Sequence, residues 1–115
     1  MIRPDIEYSH TFASQLHDRF YYLARHIGHK AAKELLDDFL DGFESRVLAH
    51  PERAPACIET ADLGMTIYHD YVDPKRQCRV IYRTDKTNDV VYALLFLNTR
   101  QSIQQALIQY CLHRE

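Results

Sequence analysis

The chain has 115 residues, 46% hydrophobic and 26% charged, with a formal net charge of −2 at neutral pH. That is enough for one domain with a real core and no metal or disulfide staples. It gives no apolar run near the ~20 residues of a membrane span, no apolar leader in "MIRPDIEYSH", and no excess of positive charge marking a general nucleic-acid binder. Three unevenly spaced cysteines, Cys57, Cys78 and Cys111, lack any CxxC pairing and read as free thiols in a reducing, cytoplasmic setting.

In chain order, "DIEY" alternates polar and apolar residues as a half-buried strand does, and Ser9 or Thr11 suits the following helix N-cap. Over "TFASQLHDRFYYLARHIG", Phe12, Leu16, Phe20, Leu23 and Ile27 recur every three or four residues. This predicts an amphipathic helix closed by Gly28. A second helix covers "KAAKELLDDFLDGFESRVLAHP": Ala32, Leu36, Phe39, Leu40, Phe43 and Val47 share one face, with Glu34, Asp37, Asp38, Asp41 and Glu44 opposite, and Pro51 stops it. The acidic row reads as solvated surface or a docking patch, and the short connection predicts a helical hairpin.

"ERAPACIETADLG" reads as a loop and "MTIYHDYV" as a strand, turning through "DPKRQ". "CRVIYRT" and "VVYALLFLN" form a hairpin around "DKTND". The second of these strands, apolar on both phases, is expected at the centre of the sheet. "TRQSIQQALIQYCLHRE" then reads as a C-terminal helix with a wide apolar arc that includes Ile108 and Leu112. The expected architecture is α+β, one domain over residues 1–115: a small antiparallel sheet packed on an N-terminal helical hairpin, with a C-terminal helix.

The charge is divided along the chain. Residues 1–73 carry 7 Lys/Arg against 13 Asp/Glu, and residues 74–115 carry 7 against 3. Strand alternation puts Arg79, Ile81 and Arg83 on one face, and Arg100 follows the apolar strand. With Lys75 and Arg76 on the adjacent turn, these guanidiniums predict an anion-binding or target-binding rim. The plain alternative pairs each arginine with Asp70, Asp85 or Asp89. The seven histidines offer no HExxH and no Cys/His pair at zinc spacing, so no metal and no cofactor is expected.

Taken together, "IEYS", "AAKELLDDFLDGFESRVLAHP", "RVIYRTDKTNDVVYALLFL" and "NTR" resemble, in order and spacing, the RelE/ParE superfamily, the toxins of bacterial type II toxin–antitoxin modules, among them plasmid-stabilisation modules. The resemblance implies neutralisation by a cognate antitoxin and one of two activities. RelE-like members cleave mRNA on the ribosome, and ParE-like members poison DNA gyrase. On the first pattern Arg79 and Arg100 match arginines acting at the scissile phosphate, with His69 as an acid/base candidate. Against it, Ala106 stands where the nucleases usually carry a tyrosine, and Asp70 and Val72 stand where they carry lysines. The reading is therefore a ParE-like toxin that binds a protein target. Its alternatives are a ribosome-dependent endoribonuclease and a non-toxic degenerate member. Arg79, Arg83, Arg100, Lys75 and Arg76 are expected to meet the target; the antitoxin is expected to cover Ile108 and Leu112 or to lie in the groove between the helical hairpin and the sheet; and a homodimer is open.

Overall fold

Two neighbouring helices lie on one face of a four-stranded sheet, and the structure, a computed structural model, describes residues 5–62, 64 and 67–99. The order is β1 (Asp5–Tyr8), α1 (His10–Ile27), α2 (His29–Ala49), α3 (Ile58–Asp62), β2 (His69–Asp73), β3 (Cys78–Asp85) and β4 (Val90–Asn98). The expected C-terminal helix, with Arg100, Ile108 and Leu112, lies outside the described residues.

Across the sheet the strands run β1-β4-β3-β2. β2, β3 and β4 are antiparallel neighbours, as the hairpin signals require. The sheet as a whole is mixed rather than antiparallel, because β1 pairs parallel with β4. The helical hairpin between them acts as the crossover that a parallel pair needs. β4 occupies the interior position expected of its apolar run, with Val91, Ala93, Leu95, Phe96 and Leu97 all buried.

A register shift accounts for how β4 feeds both faces. Ile81 pairs with Leu95 but Tyr82 pairs with Ala93, so Leu94 is an extra residue in β4. One inserted residue reverses the alternation. Val91 and Ala93 before the bulge and Phe96 after it therefore join Cys78, Val80 and Tyr82 in the core beneath the helices. Leu95 and Leu97 turn to the opposite face with Ile81 and Cys57.

β1 ends where the bulge begins, and α1 takes over its hydrogen bonds. Ser9 caps α1 by accepting from the Phe12 N–H at 2.9 Å, while its hydroxyl donates to the Leu94 carbonyl at 2.6 Å. One turn further on, the buried Gln15 accepts the Phe96 N–H at 2.9 Å. These bonds satisfy polar groups that the missing strand would otherwise leave orphaned. From α1, Phe12 is buried and Leu16, Phe20 and Leu23 pack against the core. Ile27, the last residue of the predicted stripe, is exposed. In α2 the predicted face holds: Ala32, Leu36, Phe39, Phe43 and Val47 are buried and Leu40 packs beside them.

Between α2 and β2 the chain forms the short α3 where a loop was expected. Five residues give no readable helical period, and tertiary contacts place the segment. The Cys57 N–H bonds to the Tyr68 carbonyl at 2.9 Å, and Ala56 bridges to His69. β2 accordingly starts only at His69, later than the alternation of "MTIYHDYV" suggests.

Candidate functional site

Arg79 and Arg83 project from the face of β3 opposite the helices, since Val80 and Tyr82 between and beside them enter the helix-side core. Arg79 pairs with Leu97 across the ladder and Arg83 with Tyr92. Four residue steps along the strand take Arg79 to Arg83, about 13 Å along the backbone, and each has its own immediate partner.

Arg79 is clamped by Asp70 on the neighbouring strand. Its Nη2 lies 2.6 Å from Asp70 Oδ2 and its Nε 3.2 Å from Oδ1, a two-point bond between planar groups. The two side chains are only 12% and 15% exposed. Arg83 lies over the Tyr92 ring, its guanidinium carbon 4.3 Å from the centroid, an arrangement that leaves the edge of the guanidinium able to donate. The rim thus divides: one arginine is neutralised by a carboxylate and one is held flat on an aromatic face.

The basic turn behaves similarly. Arg76 Nη1 bonds to Asp73 Oδ2 at 2.9 Å, and the Arg76 N–H donates to Asp73 Oδ1 at 3.2 Å. Burial acts to raise the Asp73 carboxyl, but these bonds outweigh it and hold the carboxyl below its usual range. Lys75 on the same turn is exposed.

His69, the acid/base candidate, is built into the scaffold. Its Nδ1 bonds to the Ala54 carbonyl at 2.8 Å. A carbonyl only accepts, so Nδ1 carries the proton. The ring stacks on Tyr82, 5.1 Å between centroids and 20° between planes. The Tyr82 hydroxyl in turn donates to the Pro51 carbonyl at 2.8 Å, and burial pushes that phenol up to about 12. The pair fastens the segment after α2 to the sheet. Among the described residues no group of three or more His, Cys, Asp or Glu side chains could hold a metal ion. Cys78 is buried, and that burial pushes its thiol up to about 11, against a smaller opposing effect of the Arg19 guanidinium. It is an inert core residue.

Sequence reasoning did not single out a second group of basic side chains, Arg46, His50 and Arg53. They line a cleft of about 530 Å³ between the end of α2 and the β2 edge. Their spacing over the helix end was legible, but their convergence depends on how the following segment folds back.

No family model and no curated protein matches this chain. Among solved structures it is similar to a chain of the toxin–antitoxin complex RelBE2 from Mycobacterium tuberculosis. The TM-score is 0.59 at 16% identity, covering 85% of this chain and 93% of that one. The chain has a RelE/ParE-type fold. Within that RelE/ParE-type fold, the Arg79–Asp70 clamp and the His69–Ala54 bond define the condition of the residues singled out from the sequence. Arg100, Ile108 and Leu112 lie outside the described residues.

Proposed function

We propose that this chain is the toxin of a bacterial type II toxin–antitoxin module, that it acts by binding a protein target as ParE-like members do, and that a cognate antitoxin neutralises it. The likeness to a chain of a toxin–antitoxin complex supports the module. The ion pair between Arg79 and Asp70 supports binding over catalysis. A scissile phosphate gains from a guanidinium that is preorganised and uncommitted as charge develops. Here the phosphate would first have to displace a largely buried carboxylate that already holds two of the donors, leaving that carboxylate unpaired. With the Arg79 guanidinium committed to Asp70, the charge stabiliser is not poised for attack on RNA.

Arg83, half-buried over Tyr92, and the exposed Lys75 on the turn at the other end of β3 supply cationic contacts that a protein surface can use. The proposed target is a protein such as DNA gyrase. Purified chain is expected to inhibit gyrase supercoiling in vitro, and Arg83→Glu to relieve the inhibition. Absence of inhibition at micromolar protein removes gyrase. Induction is expected to arrest growth, with co-expression of the antitoxin restoring it. Transcripts cut within translated codons after induction, with the cuts lost in Arg79→Ala, would replace this reading with ribosome-dependent mRNA cleavage. Growth unaffected by strong induction would leave a non-toxic family member.

A further inference from the structure

β1 is an edge of the sheet, and among the described residues no strand or loop pairs with its outer side. Asp5 and Ser9 direct their N–H groups to the Asp89 and Ala93 carbonyls beside β4 and within it, at 2.9 and 3.0 Å. Alternate residues of a strand repeat one direction, so Ile6 and Tyr8 turn both their N–H and their C=O groups outward. Among the described residues no hydrogen bond reaches any of these four backbone groups. Asp5, Glu7 and Tyr8 are exposed and Ile6 is half-buried, so the edge is open to solvent as well as unpaired.

Carboxylates stand on both sides of this edge. Val91 and Ala93, the β4 partners of Ile6 and Tyr8, face the helices, and Ile6 packs against the same core. Asp5 and Glu7 therefore project from the opposite face. On the helix face Tyr8 donates its hydroxyl to the Glu44 carboxylate of α2. Among the described residues none of these three acids has a Lys or Arg partner. From Glu7 the row across the sheet runs through Tyr92 to Arg83, so the cation of that row lies two strands in. The edge thus presents two donors, two acceptors and uncompensated negative charge.

We propose that the β1 edge takes an extended basic peptide as an added strand. The pair is antiparallel, the more stable direction per residue, and the peptide residues opposite Ile6 and Tyr8 exchange backbone bonds with them. Their side chains fall on the helix face beside Ile6, where an apolar group fits. The residues between fall on the other face beside Asp5 and Glu7, where lysine or arginine fits. A second copy of the chain, pairing edge to edge, would set these carboxylates against their own kind, the like charge by which edge strands stay apart. A metal ion or a polyamine would meet the carboxylates but leave the four backbone groups unused. With only four residues in β1, charge supplies much of the attraction and salt weakens it. The site goes beyond the toxin–antitoxin reading and does not depend on it.

A fluorescein-labelled peptide of alternating lysine and valine, titrated into the full chain and read by fluorescence anisotropy, tests the site. It is expected to bind, less tightly as salt rises, while its glutamate–valine counterpart does not. Asp5→Lys with Glu7→Lys is expected to weaken binding at least about tenfold, with an unchanged circular dichroism spectrum. Glu34→Lys with Asp38→Lys, on the exposed face of α2, is expected to leave it unchanged. Two further peptides carry backbone N-methyl groups, one on its valines and one on its lysines. In the antiparallel pair only the valine N–H groups point at β1. Methylated valines are therefore expected to bind about tenfold more weakly than methylated lysines. Equal affinity of the two methylated peptides, or the reverse order, overturns antiparallel strand addition. Equal affinity for wild type and the Asp5→Lys, Glu7→Lys variant, or an equal loss in the α2 variant, overturns the acidic edge as the site.

Discussion

Asp70 and Arg79 form a pair whose partners are worth more together than the sum of their exposures suggests. Both are largely removed from water, so deleting one leaves an uncompensated charge in the sheet, whereas replacing both with apolar residues removes the problem. Asp70→Ala is expected to destabilise the fold by about 3 kcal/mol. The pair Asp70→Leu with Arg79→Met is expected to lose clearly less, as read by urea denaturation of the two proteins. Equal losses would mean that the guanidinium is stabilised by something other than the carboxylate. The sequence had offered both fates for Arg79, rim cation or carboxylate partner. Only the register of β2 against β3, which sets Val72 opposite Arg79 and Asp70 opposite Ile81, brings a carboxylate on the same sheet face within reach of that arginine.

At the scale of elements, the helical hairpin turns on Gly28, which ends α1 and begins α2 with φ +89° and ψ 159°. Side chains are strongly disfavoured in that region whatever room surrounds them. Gly42 is a different case, since it sits inside α2, where the lack of a side chain only costs helix stability. A Cβ there would meet the Tyr71 hydroxyl at 3.8 Å, an ordinary contact. Gly28→Ala is expected to lower stability by about 1–3 kcal/mol, and Gly42→Ala to raise it by about 1 kcal/mol. Thermal unfolding of the two single variants checks both signs. The stripes of α1 and α2 were readable because their buried residues lie at local spacing. The bulge at Leu94 was not, because an uninterrupted apolar run looks the same with or without a change of phase.

Across the whole molecule the two turns flanking β3 depend on ionised carboxylates. Asp73 is held below its usual range by Arg76 against the opposing effect of burial. Asp85 is lowered by the Asn88 side chain and by the Asn88 and Thr87 N–H groups that it caps. A carboxyl depressed in the folded state stabilises fully above its unfolded pKa, here 3.8 for both. That contribution is lost as pH falls through the lower folded value. Melting midpoints are expected to fall from about pH 5 downward, and Asp73→Asn with Asp85→Asn to flatten that slope. A parallel slope in the double variant would place the acid sensitivity elsewhere. The same scale explains the candidate sites. The division of charge along the chain is visible in composition, yet Arg46, His50 and Arg53 belong to the acidic half and still gather into a cationic cleft. Net charge per segment cannot report which carboxylates are already consumed by partners from other strands.

What the sequence by itself determined are the features with short-range causes: two amphipathic helices, the β2–β3–β4 hairpins and the interior place of β4, all written in the periodicity of neighbouring residues. What only the tertiary structure decided are the parallel pairing of β1, the bulge that reverses β4, α3, and the states of Arg76, Arg79 and Arg83. Those depend on contacts between residues far apart in the chain. Their energies are set by burial and register, which no local pattern encodes.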